Sequence, residues 1–357
     1  MIRQLRALTR PIPALHPDAV AIGVYAEPAH DGYRLRAAAE QGFEGVACVD
    51  DAARAVVLYC RMWREHGSSW ARTEADRLLR FIVAMQDDAG AFSNFILDWQ
   101  GLPNRNVGSS LPGGEWWTAR AMHALASGYG VLRRDEYHDS FVRGLPLLDR
   151  PFEQPGALAL GLIAGLEFVR LTRDCALAER CDRWAETIVD RREGDALLDG
   201  PDAPHLWGHA QESALVHAGR ILDRPEYVEV AHRSAMTVLA PPAETAFADR
   251  ASTVPYDVSS VVVGLHAVAQ ATGDPVARTS ANLARAWFRG RNSARIPIYD
   301  AAAGRVYDGI DSGRVNFNSG AEANIEGAFA LFDSLDFGSM QSAPASGALV
   351  PSVDRDE

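Results

Sequence analysis

Residues 156–193, GALALGLIAGLEFVRLTRDCALAERCDRWAETIVDRRE, carry the pattern on which the fold turns. The first half, from Gly156, is small and apolar on nearly all sides, as suits a helix packed against neighbours all round. A two-residue turn, Arg-Asp, follows. The second half, over 174–193, has one apolar and one charged face, the signature of a surface helix. The pair is a helical hairpin with an inner and an outer member. Its inner member leaves apolar surface that only a neighbouring hairpin can cover.

Working outward, the same unit recurs. Inner members begin near Asp50, Glu115, Gly156, Trp207, Asp257 and Ala321, and outer members are predicted at about 71–87, 135–149, 174–193, 224–240 and 274–290. Six such units predict an all-α chain folded as an (α/α)6 toroid, with six inner helices wrapped by outer ones. No sixth outer helix is visible. After Leu335 the chain reads DFGSMQSAPASGALVPSVDRDE, so we expect one domain over 1–335 and a disordered tail over 336–357. Either the N-terminal segment closes the ring or the sixth hairpin is incomplete.

The chain has 357 residues, 47% of them hydrophobic and 23% charged, with 35 basic against 47 acidic side chains and a net charge of -12. That acidity, with no basic run longer than a pair, excludes a nucleic-acid partner, whose binding needs clustered cations. No apolar run approaches the roughly 20 residues that cross a bilayer, and the N-terminus lacks a signal-peptide core. A cytoplasmic protein with no membrane partner is expected. Cys48, Cys60, Cys175 and Cys181 have no CxxC spacing and are expected as reduced thiols in the core. Oligomeric state is not readable.

Inner-to-outer turns are short, whereas outer-to-inner connections run long, notably 91–114 and 291–320. Long loops rich in aromatics, Asn and Asp mark a functional mouth. The inner helices begin at that mouth with Asp50 and Asp51; Glu115, Trp116 and Trp117; Trp207, His209 and Glu212; Tyr256 and Asp257; and Glu322 with Glu326, preceded by Asn316 and Asn318. Carboxylates in a first turn also serve as caps. Capping does not explain the aromatics beside them. Apolar ring faces next to acids, Asn and His suit a sugar.

Glycosidic hydrolysis needs a protonated carboxyl and an ionised one, about 6.5–9.5 Å apart for inversion or about 5–5.5 Å for retention. Adjacent inner helices lie about 8–10 Å apart, so Asp51 with Glu115, or with Glu322 if the ring closes, is expected to form an inverting pair. Asp50 is expected to cap its helix, although the two aspartates can exchange roles. Trp116, Trp117, Trp207, His209, Glu212, Tyr256, Asp257, Asn316 and Asn318 are the candidate substrate-binding residues. Only one of Trp116 and Trp117 can face inward. His123, His217 and His266 sit among apolar residues and are expected in the core. No metal site is predicted, since His205, His209 and Glu212 lack a completing ligand, and no cofactor motif appears.

The stretch IYDAAAGRVYDGIDSGRVNFNSGAEANIEGAFAL, with VACVDDAARAVVLYCR and GGEWWTARAMHALA, resembles the six-hairpin glycosidase-like toroid domains found beside or fused to bacterial sugar-nucleotide glycosyltransferases. The resemblance runs from about Gly42 to Leu335, and its most specific part comprises Tyr299, Asp300, Asp308, Gly309, Asn316, Asn318, Gly320, Ala321 and Glu322. It implies the (α/α)6 toroid, a carbohydrate substrate, and Asp50, Asp51 and Glu322 as site candidates; a small-molecule or oligosaccharide substrate is expected as the partner. It does not imply a reaction. The GGEWW entry departs from the family's more polar pattern, which bears on Glu115. Besides a glycoside hydrolase, a sugar epimerase, a lyase, a terpenoid-type cyclase and a non-catalytic glycan-binding protein remain open.

Overall fold

The computed structural model describes residues 1–40, 42–198 and 205–334. The tail expected over 336–357 lies outside the described residues. Helices α1 (Ile2–Leu8), α2 (Val49–His66), α3 (Ser69–Ala84), α4 (Glu115–Leu132), α5 (Asp135–Leu148), α6 (Pro155–Thr172) and α7 (Cys175–Asp190) are followed by α8 (Gln211–Ile221) and α9 (Pro225–Ser234). A π-helical turn joins α9 to α10 (Ala240–Glu244), and α11 (Pro255–Thr272), α12 (Pro275–Arg285) and α13 (Ala321–Leu331) complete the series. The inner ring runs α2, α4, α6, α8, α11, α13 and returns to α2, each packed on the next. The chain is an (α/α)6 toroid.

Local chemistry sets the hairpins. Inner helices end on a left-handed residue, Gly67 (φ 65°), Arg133 (φ 55°), Arg173 (φ 62°) or Gly273 (φ 76°), which reverses the chain into the outer helix. Ser68, Asp174 and Asp274 then cap α3, α7 and α12 through their side chains. The fourth inner helix starts at Gln211, not near Trp207. Gly208 stands at φ 74°, a conformation that an α-helix cannot contain. Short strands precede several inner helices, as in the sheet of Ser252–Thr253, Gly309–Asp311 and Arg314–Asn316, and they order the long loops at one mouth.

The sixth outer position is filled from the start of the chain. Helix α1 packs on α13, with Leu5 and Ile2 buried. Gln4 Nε2 donates to the Ser319 carbonyl at 3.1 Å, and the Met1 amine donates to the Gly304 carbonyl. Gly320 admits this closure, because a Cβ there would stand 2.4 Å from the Val24 carbonyl oxygen.

Cys48, Cys60 and Cys181 are buried and unpaired, but Cys175 is exposed because it opens the outer helix α7. Helix α6 is long and apolar enough to cross a membrane by composition, yet 67% of it is buried as a wall of the ring.

If α1 is the sixth outer helix, it belongs to the cooperative unit and is not a frayed terminus. Leu5→Ala is expected to lower stability by about 2–5 kcal/mol in urea unfolding; a loss under about 0.5 kcal/mol would show that α1 does not hold the ring closed.

Candidate active site

The first and last inner helices meet at the long-loop mouth, and there Arg54 gathers four carboxylates. Its Nη2 lies 3.0 Å from Asp50 Oδ2, Asp51 Oδ1 and Glu322 Oε2, and its Nη1 is 3.2 Å from Glu326 Oε1. The spacing follows from helix periodicity: Asp50 and Asp51 precede Arg54 by four and three residues on α2, and Glu322 and Glu326 are one turn apart on α13. Arg120 of α4 donates from Nη1 to Asp50 and from Nη2 to the Tyr256 hydroxyl at 2.6 Å. Two guanidiniums thus face four carboxylates.

Donor counting decides which carboxyl keeps a proton. Arg54 Nη2 has two hydrogens, and both are used, one on Asp50 and one on Glu322. Asp51 Oδ1 is left buried without a donated hydrogen. Burial raises the Asp51 pKa, Arg54 offsets part of the effect, and Glu322 and Asp50 add to it, so the carboxyl is pushed up to about 7. Asp50 goes the other way: burial is outweighed by Arg120 and Arg54, which hold its carboxyl below the usual range. Glu326 is raised by burial. Glu322 is the most open of the four, its side chain 35% exposed against 6% for Asp51.

Aromatic rings flank the cluster. Trp207 lies edge-on to Trp116 and to Tyr256 with centroids 5.1 Å apart in each case, and its indole nitrogen donates to Glu322 Oε1 at 3.4 Å. Asn318 is half-buried and Asn316 exposed on the loop that leads into α13. Asp308, from the same loop, accepts the Gly320 amide at 2.9 Å, and burial lifts its carboxyl to about 6.

Other sequence candidates have different employment. Both Glu115 oxygens accept backbone amides, from Glu153 and Gln154, so this carboxylate holds the start of α6 instead of pairing with Asp51. Trp117 is the core member of its pair, with its indole donating to the Phe92 carbonyl. Asp257 Oδ2 accepts the Val254 amide and caps α11. Asp50 does not cap α2; the N-cap is Cys48. His209 and Glu212 lie 2.7 Å apart with their side chains covered, and Ser234 donates to Glu212 from behind. His123, His217 and His266 are not core residues. They line a cavity at the other mouth, because the axis of the ring is not filled by side chains.

Arg54 and Arg120 belong to the cluster although the sequence reading does not single them out. Arg54 had a signal, its spacing from the Asp50–Asp51 pair. Arg120 had only its isolation in an apolar helix. Among the described residues no group of three or more His, Cys, Asp or Glu side chains is arranged to hold a metal ion.

No family model matches this sequence. No curated protein matches it either. Solved structures do match. A sugar epimerase from a ruminal bacterium is 14% identical with a TM-score of 0.67, over 94% of this chain and 100% of that one. A D-mannose isomerase is 9% identical with the same TM-score, over 94% and 96%. The glycoside hydrolase family 9 endoglucanase J30 is 14% identical, TM-score 0.55, over 80% and 72%. The likeness is one of fold: all share the toroid.

Removing Arg54 leaves buried carboxylates without their common partner. Arg54→Met is expected to cost about 3–5 kcal/mol at pH 7. The loss shrinks towards pH 5, because carboxyls whose folded pKa has risen are then protonated and cost nothing to bury. Urea unfolding of both proteins across that range checks the size and the sign.

Proposed function

We propose that this protein is a carbohydrate-active enzyme that hydrolyses a glycosidic bond at the long-loop mouth, with Asp51 as general acid and Glu322 as the partner carboxylate. The observation that carries the reading is the shared Arg54 nitrogen, which holds a carboxyl that stays protonated up to about pH 7 beside one open to the mouth. Environments that separate two carboxyls in this way divide acid and base roles. Asp50, kept ionised, anchors both arginines. Trp116 and Trp207 each have the Arg120 guanidinium over one ring face, 5.1 and 5.4 Å from the centroids, so sugar stacking is proposed for the opposite faces, with Asn316 and Asn318 at the rim.

The spacing bears on the proposed stereochemistry. Asp51 Oδ1 and Glu322 Oε2 each lie 3.0 Å from Arg54 Nη2, so they are at most twice that distance, 6.0 Å, apart. The bound applies to these two oxygens; it lies nearer the about 5–5.5 Å carboxyl separation of retaining enzymes than the about 6.5–9.5 Å of inverting ones, and we read the pair as retaining, with Glu322 as nucleophile. An oligosaccharide or small glycoside is the proposed substrate and the cytoplasm the proposed compartment.

A second reading, sugar epimerisation or isomerisation, is favoured by the whole-chain match to structures named sugar epimerase and D-mannose isomerase and by the His209–Glu212 pair. It ranks second because that imidazole is covered.

The test is a panel of glycosides and oligosaccharides incubated in ¹⁸O-labelled water. Product is expected to gain label at a new reducing end and to form first as the substrate's own anomer. Asp51→Asn and Glu322→Gln are each expected to slow turnover by about 10²–10⁴-fold with sugar binding kept. Deuterium uptake from D₂O without hydrolysis selects the epimerase reading, and variants that change affinity alone select a glycan-binding protein.

The acid role also fixes a pH dependence. Only protonated Asp51 donates, so kcat/KM is expected to fall about tenfold per pH unit above about 7. A rate that rises through pH 8 refutes Asp51 as the acid.

A further inference from the structure

The opposite mouth of the toroid is not closed. A cavity of about 760 Å³ opens there, among the C-terminal ends of the inner helices, within the size range of small-molecule sites. It continues inward to a narrower space of about 150 Å³ beneath Arg54, Arg120 and Tyr256, and both share walls at Val57, His123, Ile163, Val263 and Phe329.

In a chain of net charge -12 this mouth is cationic. Five arginines line it against three carboxylates, together with His123, His217 and His266. Glu167 is already satisfied, with Arg64 at 2.7 Å, Ser127 at 2.5 Å and His123 at 3.4 Å. Arg61 and Arg285 are engaged with Asp333. Arg170 is held more loosely: its side chain is 55% exposed and its ion pair with Glu167 is long, at 3.8 Å. Arg220 is exposed and has no hydrogen-bond or ion-pair partner among the described residues. His217 is exposed to the cavity; its surroundings lower its pKa, burial first, then His123, with Glu167 opposing and Arg220 and Arg170 adding smaller effects.

Basic residues in last turns complement the helix dipole, and that accounts for arginines at these ends. It does not account for their facing an open cavity, for the histidines around it, or for the apolar walls leading inward. The helix ends here present carbonyl oxygens, so an anion must be held by side chains. Guanidiniums from two helices and an imidazole lining the same cavity suit a tetrahedral oxyanion.

We propose that this cavity is a second ligand site, separate from the carboxylate cluster, which takes a small phosphorylated molecule with its phosphoryl group on Arg170, Arg220 and His217. Its uncharged portion reaches inward between Val57, Ile163, Val263 and Phe329.

The test is calorimetric titration of the full chain in phosphate-free buffer with D-glucose 6-phosphate, inorganic phosphate and D-glucose. Glucose 6-phosphate is expected to bind at least tenfold more tightly than glucose. Arg220→Gln and Arg170→Gln, both surface changes, are each expected to weaken it about tenfold with unchanged melting, and Asp51→Asn to leave it unaltered. Equal affinity for inorganic phosphate supports the site and limits its recognition to the phosphoryl group. Absence of binding by either phosphate-bearing probe overturns the proposal. So does binding that the arginine variants leave intact or that Asp51→Asn removes.

Discussion

The ion cluster around Arg54 is the constraint on which the mouth of this molecule depends. One guanidinium on the first inner helix holds Asp50 and Asp51 of that helix and Glu322 and Glu326 of the last. Buried charge is tolerated only when it is paired. The pairing spans 272 positions of sequence between Arg54 and Glu326, so it exists only when the ring is closed. Closure in turn rests on α1, which covers α13 where a sixth outer helix would otherwise stand.

The cluster has more carboxylates than guanidiniums, and that imbalance is what makes it chemically interesting. Arg54 and Arg120 direct their hydrogens to Asp50, Glu322, Glu326 and Tyr256, and Asp51 receives none from Arg54 despite lying 3.0 Å away. A buried carboxyl short of donors is more stable with its own proton, and burial pushes Asp51 that way despite Arg54 and a hydrogen bond with Cys48. The same shortage that costs stability therefore accompanies a carboxyl raised to about 7. Functional sites commonly carry such local conflict.

The two mouths of the ring are built from opposite halves of the same helices and differ in chemistry. At the N-terminal ends, long loops bring acids, indoles and amides together. At the C-terminal ends the turns are short, and arginines and histidines face an axial cavity. An inner helix that reads as apolar all round still turns one face to the axis. His123, His217 and His266 occupy that face.

What the sequence determined by itself was the architecture. The alternation of all-round apolar and amphipathic helices, with short turns between them, is a local pattern, and local patterns specify hairpins whose stacking geometry then follows. It also placed Asp50, Asp51, Glu322 and the flanking Trp207 at one mouth, because each begins or precedes an inner helix. Tertiary structure alone decided which of these residues meet. Glu115 has the same first-turn position as Asp51, yet it is spent on the amides of Glu153 and Gln154. Asp257 is spent on Val254. Arg120 joins the candidate site through its contacts with Asp50 and Tyr256. Side-chain pairing, donor supply and the emptiness of the axis depend on distances between segments far apart in the chain, and periodicity carries no information about them.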